Sequence, residues 1–141
     1  MSDGAPWEQW ITLDSIKFLY LENMRRWGGP QSEPVQGCIE GALGAAYSAE
    51  LYSTDVEQEG FVQGLLFAAY LLFYVATKHC FVDGNKRLAW ACMTFVLLNF
   101  GLTVTATDDE AEAFCIQIAK GEIKETGEVM VWLYPRLVSL I

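Results

Sequence analysis

Residues 79–87 read HCFVDGNKR and separate two strongly apolar stretches, GLLFAAYLLFYVA (64–76) and LAWACMTFVLLNF (88–100). Each apolar run falls short of the roughly 20 residues that cross a bilayer. The pair is therefore expected to form two buried helices of a bundle joined by a tight loop, and no membrane partner is expected. An all-α fold around a buried central helix follows.

The flanking sequence supports this architecture. Thr12 can cap a helix over Leu13–Trp27, whose Ile16, Leu19, Tyr20, Met24 and Trp27 recur at helical spacing. Arg25 and Arg26 suit the last turn, and Gly28-Gly29-Pro30 ends it. A second helix is expected over about 35–46. The weak alternation of YSAELYS (47–53) suggests an exposed turn or short hairpin. Thr54-Asp55-Val56-Glu57 fits a capping box for the central helix, running to about Lys78. The next helix begins near Gly84 and ends at about Phe100-Gly101, and LTVTA (102–106) reads as extended. Thr107 and Glu110 form a second capping box, for a helix to about Lys120 closed by Gly121. A last amphipathic segment follows Thr126 and is shortened by Pro135. No repeat, linker or low-complexity tract interrupts residues 1–141, so a single domain is expected.

Just over half of the 141 residues are hydrophobic and the formal net charge is −9. A core is ample, and a broad basic face for nucleic acid is excluded. The start, MSDGAPWEQW, has neither the basic nor the apolar region of a signal peptide, and a cytoplasmic protein is expected. Cys38, Cys80, Cys92 and Cys115 form no CxxC pair, so they are expected to be reduced thiols and not zinc ligands. Cys80 beside His79 does not make a thiol-protease dyad, because adjacent side chains point apart.

The loop itself carries the chemistry. His79 is the chain's single histidine, and imidazole is the side-chain type suited to proton abstraction near pH 7. Each residue has a plain structural explanation too: His79 at a helix C-terminus, Asp83 as an N-cap, Phe81 as a core plug, Asn85 in a turn. Lys86 and Arg87 resist such treatment. Two cations in a helix's first turn oppose the macrodipole, at about 0.3–1 kcal/mol each. An anion bound there removes the conflict, since free backbone amides, both charges and the dipole converge on it. Asp83 is then placed to hold Mg²⁺ together with phosphate oxygens. Base, metal carboxylate and anion cradle point to phosphoryl or nucleotidyl transfer.

HCFVDGNKR resembles the HxFx(D/E)GNxR signature of the Fic/Doc (Fido) superfamily, and more closely its Doc, or death-on-curing, branch. RRWGG (25–29) is similar to that branch's R-(Y/W)-G-G turn and GCIEGAL (37–43) to its G-L-L-E-S-A-L segment; NFGL and AKGEI also have counterparts. The resemblance spans about residues 11–136. It implies a Fido helical bundle with a short β-hairpin flap, near Tyr47–Ser53, over which the target peptide lies. It implies His79 as general base for a target hydroxyl, Phe81 as the loop's anchor, Asp83 as the Mg²⁺ ligand, and Gly84, Asn85, Lys86 and Arg87 as the nucleotide phosphate nest.

Two departures favour the Doc branch. AMP-transferring Fic enzymes have Gly in place of Lys86 and a second Arg in place of Trp90. Without that Arg, ATP is expected to bind with its γ-phosphate toward His79, as in Doc protein kinases. The resemblance thus implies a toxin of a toxin–antitoxin pair. It would phosphorylate a Ser or Thr hydroxyl of a cytoplasmic protein, a translation factor by family likeness, with an antitoxin as second partner. The alternatives are protein adenylylation and a non-catalytic interaction module. Cys80 replaces the Pro usual after the histidine. Ser53–Glu57 fits the SxxxE inhibitory motif of some Fic proteins, but the Arg its Glu would pair with is absent.

Overall fold

The computed structural model describes residues 4–51 and 60–140. After a 3-10 turn at Pro6–Gln9, helix α1 occupies Leu13–Trp27, α2 Cys38–Leu51, α3 Gly60–Lys78 and α4 Asn85–Leu98. Strand β1 (Leu102–Val104), α5 (Asp108–Ala119), α6 (Thr126–Leu133), a 3-10 turn at Tyr134–Arg136 and strand β2 (Leu137–Ser139) complete the chain. The architecture is an all-α bundle with one small sheet, as the apolar periodicity requires.

α3 is the central helix. It packs most extensively against α2 and α4, with α5 and α6 closing its remaining sides. Its Phe67, Leu71, Leu72 and Val75 belong to one continuous core with Leu43, Leu88, Met93, Phe114 and Leu133. By length and composition its Phe61–Lys78 window (18 residues, mean hydropathy 1.5) is apolar enough to cross a membrane. The shorter uninterrupted run seen in sequence understates it, because Gly60–Gln63 and Thr77-Lys78 extend the helix. In the bundle, 56% of that window is buried among the other helices.

α1 begins and ends where its caps dictate. The Thr12 hydroxyl accepts from the Ser15 N–H at 3.1 Å, and Gly28 closes the helix on the Met24 carbonyl at 2.8 Å. Ile16, Tyr20 and Met24 face the core. Trp27, expected on the same face, is instead 51% exposed, for a reason that emerges at the site. α5 carries its capping box on Thr107 and Glu110. Hydrogen bonds from Thr107 hold the Glu110 carboxyl below its usual range.

Two expectations shift. α2 does not end near Ala46 but continues through Tyr47–Leu51, where Tyr47 packs against Trp7 and Trp10 and Glu50 is buried. The flap expected at Tyr47–Ser53 is therefore helical as far as Leu51, and its remainder, with the Thr54–Glu57 capping box and the SxxxE stretch, lies outside the described residues apart from that helix end. The small antiparallel pair lies elsewhere: β1 pairs with β2, Leu102 opposite Ser139 and Val104 opposite Leu137.

Candidate active site

The loop begins with a strained residue. α3 ends at Lys78, and His79 takes the left-handed conformation (φ 50°), the only non-glycine with positive φ among the described residues. That position after a helix normally belongs to Gly, and a side chain there costs on the order of 1 kcal/mol. Histidine tolerates this region better than most residue types, but a purely structural turn has no need of it. The His79 side chain is exposed.

The next residues turn inward. Cys80 is 1% exposed, and the Phe81 ring stacks on Tyr20 of α1, centroids 3.9 Å apart and planes 14° off parallel. Asn85 closes the turn from the far side: its Oδ1 accepts from the Phe81 N–H at 2.9 Å and its Nδ2 donates to the Phe81 carbonyl at 2.7 Å. The segment after α1 supports the outer edge. Val35 N–H donates to the Cys80 carbonyl at 2.8 Å, Val82 N–H to Ser32 Oγ at 3.1 Å, and Ser32 N–H to Tyr20 Oη at 2.9 Å. Phe81 is thereby held through its ring and through both of its backbone polar groups. Asn85 is a loop clamp through its side chain, leaving only its backbone N–H to the nest.

Gly84 is the N-cap of α4, left-handed at φ 83°. A Cβ there would lie 2.8 Å from Met24 Sδ, so any other residue would have to push that side chain aside as well as hold a left-handed backbone. Asn85, Lys86 and Arg87 are the first three helical positions, whose N–H groups have no acceptor within the helix. The first intrahelical bond from this end is Leu88 N–H to the Gly84 carbonyl, 2.9 Å. No acidic residue occupies that turn and no side chain caps it. The capping explanation for Asp83 is therefore removed: it precedes the N-cap and makes no cap bond.

Instead, the Asp83 carboxylate reaches back to the end of α1. A Cβ on Gly29 would meet Asp83 Oδ2 at 2.5 Å and Met24 Cε at 3.2 Å, and Gly29 itself is at φ 108°. The second glycine of RRWGG thus makes room for the carboxylate. Trp27 is exposed because it carries cations: the guanidinium carbons of Arg26 and Arg87 lie 5.1 and 5.4 Å from its ring centroid, within cation–π range. Lys86 is exposed, near enough to α5 for its charge to reach Cys115. Burial pushes the Cys115 thiol up to about 12 while the Lys86 charge pulls it the other way. Among the described residues the one ion pair is Arg25–Glu22, so none of them neutralises Lys86, Arg87 or Asp83 by an ion pair. A cleft of about 580 Å³ behind the loop has Tyr20, Ser32, Pro34 and Phe81 in its walls but none of the reactive side chains. His79, Asp83, Lys86 and Arg87 are exposed instead.

The residues fit a magnesium ion only in company. No cluster of three metal-ligating side chains occurs among the described residues. A single carboxylate beside free amides is instead what a magnesium–polyphosphate uses, most of its ligands coming from phosphate and water.

Trp90, one turn beyond Lys86, is half-buried and meets Trp132 edge to face at 6.1 Å. Trp132 stacks on Phe114 at 4.0 Å and lies under Arg136 at 4.1 Å. Trp90 is a packing residue here. The sequence reading missed Tyr20, Gly29 and Ser32, whose contacts with the loop span many residues. It also missed a disulfide between Cys38 and Cys80, 42 residues apart with Cα atoms 5.4 Å from each other. The expectation of four reduced thiols is corrected at these two positions, because the first turn of α2 is packed against the loop. Cys92 and Cys115 are free and buried.

The family model described as Fic/DOC family matches residues 10–97. The chain belongs to that family. The matched span takes in α1 to α4 and every loop residue described above; α5, α6 and the sheet lie beyond it. No curated protein matches the chain. Transfer of a group onto proteins is the activity this membership generally implies.

The Gly29 contact gives a direct test of the geometry. Gly29→Ala is expected to displace Asp83 and, on the nucleotide-binding reading proposed below, to weaken Mg²⁺-dependent ATP binding by about tenfold or more. Titration calorimetry of ATP with and without Mg²⁺ checks it, with circular dichroism to confirm that the bundle remains folded.

Proposed function

We propose that this protein is a Doc-like kinase that transfers the γ-phosphate of ATP to a Ser or Thr hydroxyl of a cytoplasmic protein. It would act as the toxin of a toxin–antitoxin pair, held in check by an antitoxin protein. The observation that carries this reading is the start of α4. Among the described residues, two cations without an ion-pair partner stand at three backbone amides that no side chain caps, a carboxylate lies beside them, and the chain's one imidazole stands in a left-handed turn at the loop's other end. A scaffold gains nothing from this combination, since each element costs stability.

The step follows from these groups. A target hydroxyl lies against His79, whose imidazole nitrogen takes its proton as the oxygen attacks the γ-phosphorus. The new O–P bond forms as the bond to the β-phosphate oxygen breaks, and ADP leaves. Lys86, Arg87 and the first-turn amides of α4 stabilise the charge on the transferring group. Asp83 would hold a magnesium ion, which would supply positive charge against the phosphates. Asn85, Phe81 and Tyr20 position the loop and touch no reacting atom. The γ orientation is supported by charge placement: Lys86 and Arg87 put the positive potential in the first turn, and Trp90 adds none one turn on.

Asp83→Asn tests the metal's place. An amide caps a helix as well as a carboxylate does, so a capping role would leave the variant unchanged. Loss of the Mg²⁺-dependent tightening of ATP binding, with thermal stability within about 0.5 kcal/mol of wild type, is the expected result in calorimetry and melting. Phosphopeptide mass spectrometry of a treated cell extract then identifies the hydroxyl that is modified. Adenylylated peptides in place of phosphopeptides would overturn the γ-transfer reading.

A further inference from the structure

The disulfide is the one covalent feature that reaches the reactive loop, and it does so at the residue after His79. Cys38 is the first residue of α2 and is half-buried, whereas Cys80 is 1% exposed. The bond ties the start of α2 to the loop and closes a ring that holds α2 and α3. Cys80 is also gripped through its carbonyl by the Val35 N–H. His79 is thus strung between the end of α3 and a residue fixed on two sides, which is where its left-handed backbone is enforced. On the cytoplasmic kinase reading proposed above, the surroundings are those in which disulfides are mostly transient or redox-sensing. The other two cysteines are poor candidates for such exchange: both are buried, and burial raises both thiols far above the usual range.

We infer that the Cys38–Cys80 disulfide is a thiol-responsive latch on the active loop, which when closed holds His79 in place and when opened by a dithiol reductant lowers transfer. A reductant thiolate attacks Cys38 Sγ, the more accessible sulfur. The S–S bond breaks as a mixed disulfide forms, and Cys80 leaves as a thiolate that takes up a proton. The second thiol of the reductant then displaces Cys38. Two electrons pass to the cysteine pair, and the dithiol becomes a disulfide. Release of Cys80 lets His79 relax from φ 50°, and misplacement of a base by an ångström is enough for a large loss of rate.

The inference rests on His79 as the base, so the test reads loop and activity separately. The full chain is prepared without reductant and compared with the same protein after dithiothreitol, and with Cys38→Ser. Thiol titration of denatured samples is expected to rise on reduction by the two cysteines of the latch. Label transfer from γ-labelled ATP is expected to fall about tenfold or more, and amide exchange across residues 79–84 to quicken by a similar factor. Cys38→Ser should behave like the reduced protein whether or not dithiothreitol is present. The latch is overturned if all four thiols titrate before reduction, or if loop exchange is the same in both states. It is overturned too if transfer occurs at equal rates in both. Exchange that quickens while neither state transfers any label contradicts the kinase reading and leaves the latch standing.

Discussion

His79→Ala is expected to lower phosphoryl transfer by about 10²–10⁴-fold while ATP affinity stays within about twofold. In the proposed step the imidazole takes the hydroxyl proton and contributes nothing to the phosphate nest, which that step assigns to the start of α4. His79→Gly sharpens the test. Glycine adopts φ 50° without strain, so this variant should be as inactive as alanine yet more stable than wild type by about 0.5–1 kcal/mol. A structural histidine would show the opposite coupling, with activity following stability. Single-turnover kinetics and thermal melting measured on the two variants separate the cases. Alanine turnover above a third of the wild-type rate would remove His79 from the mechanism.

Lys86→Gly is the second large effect. Lys86 occupies the second position of α4 and is exposed, so its loss disturbs little packing. In the γ-transfer arrangement it stabilises the transferring phosphoryl group directly, and its removal should cost about 10²-fold in phosphate incorporation. Adding an arginine at Trp90 as well would imitate AMP-transferring relatives, but Trp90 meets Trp132 within an aromatic stack. An arginine forced into that stack is expected to destabilise the bundle by several kcal/mol. The single variant is therefore the cleaner measurement. Full phosphate incorporation by folded Lys86→Gly protein would sink the orientation argument.

What could be read in advance followed the range of the interaction. α1 and α5 are bounded by local signals, Thr12 and Gly28 for α1 and the Thr107–Glu110 capping box and Gly121 for α5, and both helices start and stop beside them. The end of α2 depended on packing: Tyr47–Glu50 alternates like a turn, but Tyr47 against the two tryptophans and the buried Glu50 keep it helical. Tertiary contacts routinely override such weak local preference. β1 was visible as LTVTA, yet its partner lies more than thirty residues on, with no hairpin turn to announce the register. The same division runs through the site. The loop's candidate residues are contiguous, so the sequence alone singles them out. The Gly29–Asp83 approach, the Tyr20–Phe81 stack and the Cys38–Cys80 bond join distant residues and left no local pattern. Asn85 shows the limit from the other side: its place in the motif suggested a ligand, while its amide is spent holding Phe81.

The most direct test of the central claim is incubation of the protein with Mg²⁺ and cell extract, using γ-labelled and α-labelled ATP in parallel. Label reaching a protein band from the γ position alone is the predicted result. Label arriving from the α position alone would contradict it in favour of AMP transfer, and no label from either would contradict transferase activity altogether.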